Sequence, residues 1–293
     1  MPKFLVGLSA LLLLCIFSSC QQKSTTENQS LDLSPADSTI SLKQDIEDLI
    51  FNLPSPSEVP YAIQTTGITF NSNLANTFIK DGITAQQNEF QALLLGYYAA
   101  DIGYFSSYGK VQEAIDYMNK SKNLSDNLGV TGVFDLQDIK KFENNLNNKD
   151  SAARVLDETI KKLDKLLVSD SRNKLAAFVV VGSFLEGLYI TSQLMTTYPK
   201  PWPKQDTVAN SVTRVLLEQK KSISTLIKLL GNVEESELSA KISGSLEKMK
   251  ILLDEMKVDD NNKSMWEMIQ ANPKKLNSFS DICANVRNSL ITK

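Results

Sequence analysis

Residues 175–190 read LAAFVVVGSFLEGLYI, and residues 90–105 read FQALLLGYYAADIGYF. Both stretches are apolar nearly all the way round a helix, whereas a surface helix carries its apolar residues on one stripe. Glycines stand inside both of them, where a second helix can approach closely because there is no side chain in the way. We therefore predict two buried central helices around which the rest of the chain packs.

The chain outside these two stretches has a helical period from Leu42 onward and shows no strand-like alternation. Prolines interrupt this pattern at Pro54–Pro60, and residues 63–70 fit no element. Further helices are predicted at 42–53, from Asn73, at 84–107, 110–128, from Asp135, from Asp150 or Ser151, at 174–196, 207–230, 238–256 and from Pro273. The predicted fold class is all-α, a helical bundle or array of about nine or ten helices over residues 42–291.

Each apolar stretch is followed by a long amphipathic helix that ends in Leu-Gly, at Leu128-Gly129 and at Leu230-Gly231. This order suggests a weak internal duplication with halves at 72–168 and 172–291. Chance similarity between two helical segments is the other interpretation.

The N-terminus has the three parts of a lipoprotein signal: Lys3, an apolar run over residues 5–17, and the sequence Ser18-Ser19-Cys20. The run is too short to span a membrane as a helix. Residues 1–19 are thus predicted to be a signal peptide. Lipid chains such as palmitate are expected on Cys20, and residues 20–41 form a polar, disordered tether. The expected location is the bacterial envelope, with the lipid inserted in the membrane.

Gln21 follows the lipidated cysteine, whereas some bacteria retain lipoproteins at the inner membrane by an aspartate at that place. We therefore expect the outer membrane, with the leaflet left open. In the tether, Asp37-Ser38-Thr39 is similar to short sites that some bacteria O-glycosylate, so Ser38 is a candidate for that modification.

Composition excludes several classes of function. Without Lys3 the chain has 30 basic and 34 acidic side chains, so no basic face for nucleic acid is expected. The sequence contains no histidine, which removes the commonest general base and the usual zinc ligand. We expect no metal, no cofactor and no enzyme activity. Cys283 has no partner cysteine in the mature chain and is predicted to be buried.

Seven polar residues stand out inside or beside the apolar stretches, and they are the candidate ligand-binding set: Tyr97, Asp101, Tyr104, Tyr108, Glu186, Tyr189 and Gln193. A carboxylate in an apolar helix is costly unless it is hydrogen-bonded or paired, and we expect tyrosine hydroxyls, helix ends or a lysine to supply that partner. The set is either a closed network that fixes helix register or the polar lining of a small-molecule pocket. A third interpretation is a histidine-free hydrolase that uses Asp101 and Glu186 as acid and base.

Three segments, LLLGYYAADIGYFSSYGKVQEAIDYM at 93–118, GSFLEGLYITSQL at 182–194 and NPKKLNSF at 272–279, resemble helical envelope lipoproteins of unknown function from Bacteroidetes-type bacteria. The resemblance implies an all-α fold and an envelope location, and it carries no activity or site. The expected function is a non-catalytic binding or scaffold role, with an envelope protein or a small ligand as partner. A binding or sensor domain with a Tyr/Asp/Glu-lined pocket is the alternative.

Overall fold

The computed structural model describes residues 44–75, 88–169, 172–198, 207–256 and 273–289. Of these residues 83% are helical and none forms a strand, so the prediction of an all-α helical array is confirmed. The signal peptide, Cys20, Ser38 and the tether lie outside the described residues, as does the start of the helix predicted at 84–107.

Residues 44–51 are helical and are labelled α1. Ten further helices follow in chain order: α2 Glu58–Thr65, α3 Asn88–Ser107, α4 Val111–Asn127, α5 Leu136–Asn145, α6 Lys149–Ser169, α7 Asn173–Thr197, α8 Thr207–Glu218, α9 Lys220–Gly231, α10 Glu237–Glu255 and α11 Pro273–Ser289. The short helix predicted from Asn73 is a single 3₁₀ turn at Ser72–Leu74, and the residues after Ala75 are not described.

The two central helices are α3 and α7, and they make the most extensive helix–helix contact in the described structure. Every residue from Gln91 to Ser107 is buried in α3, as is every residue from Leu175 to Leu188 in α7. Helices α2, α4 and α6 cover α3, while α6, α8 and α11 cover α7. The prediction that the two apolar helices are buried against each other is therefore confirmed.

Two glycines allow this close approach. A methyl group added at Gly96 would collide with the carbonyl oxygen of Val179, and one added at Gly182 would collide with the carbonyl oxygen of Leu93. The backbones of α3 and α7 thus touch at two reciprocal points where only glycine fits. Gly103, two turns further along α3, instead lies under the loop before α2, where an added methyl would stand 2.9 Å from the carbonyl oxygen of Pro56.

Several helix boundaries agree with the sequence signals. The Asp135 carboxylate accepts hydrogen bonds from the backbone N–H groups of Gln137 and Asp138 at 2.8 and 2.9 Å, as an N-cap does. Gly129 follows α4 with φ +69°, and Pro273 is the first residue of α11. These signals predict boundaries well because they act within one helical turn.

The helix predicted at 207–230 is wrong as one element, since the structure breaks it into α8 and α9 at Gln219. The side-chain amide of Gln219 donates to the carbonyl oxygen of Val215 at 3.0 Å. That carbonyl is the one that the Gln219 backbone N–H would use in an α-helix. The backbone N–H bonds to Leu216 instead, at 3.2 Å, which tightens the turn.

Two more boundaries differ from the predictions. Helix α6 begins at Lys149, and Asn148 rather than Asp150 or Ser151 caps it, with its side-chain oxygen accepting from the Ser151 N–H at 3.1 Å. The proline-rich break is shorter than predicted, because Pro60 lies inside the first turn of α2. A proline is tolerated there since its missing N–H has no partner within the helix at that place.

Helix α7 is also long and apolar enough to cross a membrane, by length and composition alone. In the described structure, however, 94% of its most apolar window is buried by the rest of the fold. Packing against α3, α6, α8 and α11 is a sufficient physical reason for its apolar sequence.

Candidate functional site

Glu186 is fully buried on α7 and forms a bidentate ion pair with Arg287 of α11. The Arg287 Nε donates to Glu186 Oε2 at 2.8 Å, and Nη2 donates to Oε1 at 2.7 Å. Nη2 also donates to the carbonyl oxygen of Leu74 at 3.0 Å, which holds the turn at Ser72–Leu74 against the same pair. Burial raises the pKa of Glu186, and the charge and hydrogen bonds of Arg287 oppose that shift.

Tyr189 and Gln193 extend the same face of α7 toward α11. The guanidinium of Arg287 stacks 4.1 Å from the centre of the Tyr189 ring. One turn further on, the side-chain amide of Gln193 donates to the hydroxyl of Ser280 at 2.8 Å. These three residues of α7 therefore fix how α11 sits against it.

Tyr104 of α3 and Tyr108, which directly follows α3, hold the segment after α2. The hydroxyl of Tyr104 accepts from the backbone N–H of Asn71 at 2.9 Å, and that of Tyr108 donates to the carbonyl oxygen of Ile68 at 2.8 Å. Both rings pack against Phe70, with centroid distances of 5.1 and 5.4 Å. Burial raises the pKa of Tyr104 to about 12, so its hydroxyl stays protonated and neutral.

Asp101 and Tyr97 lie deeper on α3 and are fully buried. Asp101 lies close enough to Glu186 to hydrogen-bond to it and lower its pKa. The Tyr97 hydroxyl is buried with no hydrogen-bond partner in the described part of the chain, and burial raises its pKa. Four of the seven predicted residues are buried in the core, whereas Tyr108, Tyr189 and Gln193 are half-buried at its edge. None of the seven lines either of the two clefts described below.

Sequence reasoning did not identify Arg287 as the partner of Glu186. A signal was present, because Arg287 stands four residues after the buried Cys283 and beside the buried Val286, so it falls on the apolar face of α11. A basic residue on the buried face of one helix indicates an acidic partner on another helix, because an unpaired buried charge is costly. Cys283 itself is buried as predicted, and burial raises its pKa to about 12, so its thiol is protonated.

The surface holds a different candidate site, here called the α1–α6 cleft, with a volume of about 660 Å³. Its apolar walls come from α1, the proline-rich loop, α6 and α7, and consist of Ile50, Phe51, Leu53, Pro54, Pro56, Ile160, Val168 and Val180. Its polar lining consists of Glu47, Ser55, Glu58, Asp157, Lys161, Asp164, Lys165 and Ser183. The volume is within the range of small-molecule sites, and half of the lining residues are apolar.

Asp157 has more hydrogen-bond partners than Asp164, the other aspartate in this cleft. Its Oδ2 accepts from the hydroxyls of Ser55 and Ser57 at 3.0 and 2.9 Å, whereas its Oδ1 is buried without a hydrogen-bond partner. Burial raises the pKa of Asp157, although the serine hydroxyls oppose that shift. One acceptor atom of this carboxylate is therefore left for another donor.

Asp164 forms no hydrogen bond or ion pair with any described residue. The side chain lies partly open to the cleft, but its Oδ1 is buried and has no partner. Burial alone raises the pKa of Asp164 to about 8, so the carboxyl group is largely protonated at neutral pH. Lys161 and Lys165 are exposed beside it, and neither one pairs with it.

Asp157 and Asp164 are seven residues apart, so they lie on one side of α6, about 10 Å apart along its axis at 1.5 Å per residue. They border the apolar face of α6 and not the solvent side. Sequence reasoning assigned only that apolar face and did not consider the two acids. The seven-residue spacing of Asp157 and Asp164 indicates that they share one side of α6. The sequence of α6 alone does not show that α1 forms a wall of the cleft that they line.

A second, more open cleft of about 500 Å³ lies on the other side of α1, between its residues and the end of α9. It is lined by Asp45, Asp48, Leu49, Asn52, Lys228, Gly231 and Asn232. No group of three or more potential metal-ligating side chains occurs among the residues that the structure describes.

Comparison of the chain with protein-family models, curated proteins and solved structures finds no match. The features of this chain that bear on its function are the geometry of the α1–α6 cleft and the N-terminal sequence.

Proposed function

We propose that this chain is a lipid-anchored envelope protein with a non-catalytic binding role, and that the α1–α6 cleft holds its ligand. The observation that carries the proposal is Asp164, which lines a cleft of about 660 Å³ and whose carboxyl group has no hydrogen-bond or ion-pair partner among the described residues. A buried polar atom without a partner costs free energy, and that cost is removed when a ligand supplies the missing hydrogen bond.

The geometry favours this site over the pocket predicted from the sequence. Glu186 already has the two hydrogen bonds of Arg287, and Tyr104 and Tyr108 already bind the backbone. A ligand at that place would have to displace bonds within the core. In the cleft, a ligand would complete bonds that the folded chain leaves unmade.

The same geometry weighs against a hydrolase that uses Asp101 and Glu186. Both carboxyl groups are fully buried, and a catalytic acid must come within hydrogen-bond reach of its substrate. In the α1–α6 cleft, the hydroxyls of Ser55 and Ser57 donate to the Asp157 carboxylate and hold it in place. We therefore favour binding over turnover.

A scaffold role toward a protein partner is the second candidate. Phe51, on the wall of the cleft, is 85% exposed, which is unusual for a large aromatic side chain. A protein that docks there would bury Phe51, and the change Phe51→Ser would weaken it while leaving a small ligand at Asp164 in place.

A thermal-shift screen of the wild type against envelope sugars, peptides, lipids and small amines tests the proposal. A ligand at 100 times its dissociation constant should stabilise the protein by about 2.7 kcal/mol. We expect the shift to shrink in Asp164→Asn and to persist in the control Asp150→Asn, which changes an exposed aspartate on the same helix. A shift that survives both Asp164→Asn and the cleft-filling Ile50→Trp would place the ligand elsewhere and contradict this site.

A further inference from the structure

The charged groups of the α1–α6 cleft leave an excess of acids. Besides Asp164, the charged residues that line the cleft are Glu47 from α1, Glu58 from α2, and Asp157, Lys161 and Lys165 from α6, while α7 contributes the neutral Val180 and Ser183. Four carboxyl groups thus stand against two amines. Glu58 accepts from the backbone N–H of Ser55 at 3.3 Å, but this bond does not compensate its charge.

When Asp157 and Asp164 are ionised, the unmade hydrogen bonds in the cleft are acceptor sites. Oδ1 of Asp157 and Oδ1 of Asp164 are both buried without a donor. An ammonium group offers three N–H donors and a positive charge, an alcohol offers one donor and no charge, and a carboxylate offers neither. Hydrogen bonds between two ionised partners are roughly twice as strong as neutral ones, so an ammonium group suits these acceptors best.

The apolar side chains of the cleft determine the chemistry of the part of the ligand that lies beyond its polar group. Between and beside the two aspartates, α6 presents Ile160 and Val168, and α7 presents Val180. Leu53 and the two prolines of the loop form the facing wall. These side chains make no hydrogen bonds, so the part of a ligand that touches them is expected to be aliphatic.

We infer that the α1–α6 cleft binds an aliphatic amine, whose ammonium group donates to Asp164 and whose hydrocarbon body packs against Ile160, Val168 and Val180. The inference rests on the proposed function and specifies the chemistry of the ligand. A second amino group on the same body, about 10 Å away, would reach Asp157 along the axis of α6.

Binding of an amine is linked to the protonation of Asp164. The carboxyl group must lose its proton to form an ion pair, whereas an alkylamine remains protonated up to a pH of about 10, as lysine does. Because burial raises the pKa of Asp164 to about 8, amine binding below that pH releases a proton. The affinity should therefore rise about tenfold per pH unit from pH 6 to 7 and level off above 8.

The test is calorimetric titration of the full-length protein in detergent with hexylamine, hexanol and hexanoate, which differ only in the polar group. We expect hexylamine to bind most tightly and to lose at least tenfold in affinity in Asp164→Asn, with no loss in Asp150→Asn. The variants share the detergent of the wild type, so partition of the probe into micelles cancels in the comparison. Hexanol binding should not change with pH.

The outcomes separate the inference from the proposed function. Equal binding of hexanol and hexylamine, or hexylamine binding that Asp164→Asn leaves intact, overturns the amine inference. The cleft stays a binding site in that case if Ile50→Trp abolishes the binding. Absence of hexylamine binding at pH 8 also overturns the inference, while the cleft itself fails only if the wider screen yields no ligand that Ile50→Trp displaces. Hexylamine binding that survives Ile50→Trp overturns both.

Discussion

At the scale of single residues, the buried Glu186–Arg287 ion pair costs free energy of desolvation and fixes the position of α11. Moving both ions out of water costs several kcal/mol each, and their mutual attraction repays this only when the geometry is good and all donors are used. Here the pair has two hydrogen bonds, and Arg287 gives a third to Leu74. Its main effect is to specify where α11 docks, because no other position of α11 would satisfy Glu186.

Removing one member of this pair should cost more than removing both. Arg287→Met leaves a buried carboxylate alone, and we expect the free energy of unfolding to fall by about 3–5 kcal/mol. Adding Glu186→Leu to that variant should restore a large part of the loss, since neither charge then remains buried. Urea unfolding of the two single variants and the double variant measures this, and additive losses would contradict the coupling.

Asp164 should make stability depend on pH. Its pKa in the folded protein is about 8, raised from an ordinary value of 3.8, so the folded state holds a proton that the unfolded state has lost between these values. The stabilising contribution of this proton is complete below pH 4 and disappears as the pH rises toward 8. Asp164→Asn removes the effect.

We therefore expect the difference in urea midpoint between Asp164→Asn and the wild type to shift in favour of the variant from pH 5 to pH 8. Asp150→Asn, on the exposed side of α6, serves as the control and should show no such trend. A constant difference across this range would mean that Asp164 titrates as an ordinary exposed aspartate.

At the scale of elements, the contact between α3 and α7 depends on the absence of side chains at two positions. Gly96 and Gly182 each face the backbone of the other helix, which cannot move aside as a flexible side chain can. Glycine inside a helix otherwise costs about 0.5–1 kcal/mol relative to alanine. The close approach of two helices that are buried on almost all sides offsets this cost.

Gly96→Ala should destabilise the protein by at least 1–3 kcal/mol, because the added methyl group forces α3 and α7 apart. Gly244→Ala is the matched control: Gly244 also lies inside a helix, α10, but nothing stands within 4 Å of an added methyl group. That change should stabilise the protein by about 0.5–1 kcal/mol. Thermal unfolding of both variants checks the pair, and equal effects would mean that the glycines matter only through helix propensity.

At the scale of the whole molecule, the described helices form one array around α3 and α7, and α1 is the helix that follows the predicted tether. A polar tether of about 20 residues has an average reach on the order of 25 Å, enough to hold the array clear of the headgroups. Helix α1 also forms one wall of the α1–α6 cleft. The proposed anchor and the proposed site would therefore be close in sequence.

The anchoring proposal predicts the behaviour of the whole protein in cells. Cys20→Ala removes the thiol that accepts the lipid, so the variant should leave the membrane fraction and lose the mass of the acyl chains. Fractionation and mass spectrometry of the wild type and the variant measure both effects. Cys283→Ala is the control, since that cysteine is buried in the fold and should not change the location.

The sequence by itself determined most of the helices, because caps, terminal glycines and the 3.6-residue period act within a few residues of the chain. It did not determine the break at Gln219 between α8 and α9. It also determined which two helices lie at the centre, since a helix without a polar side must be buried. The tertiary structure alone decided the partner of Glu186, which is 101 residues away, and the enclosure of Asp164 by α1. Such groups meet only when distant segments pack together, so no local pattern carries that information.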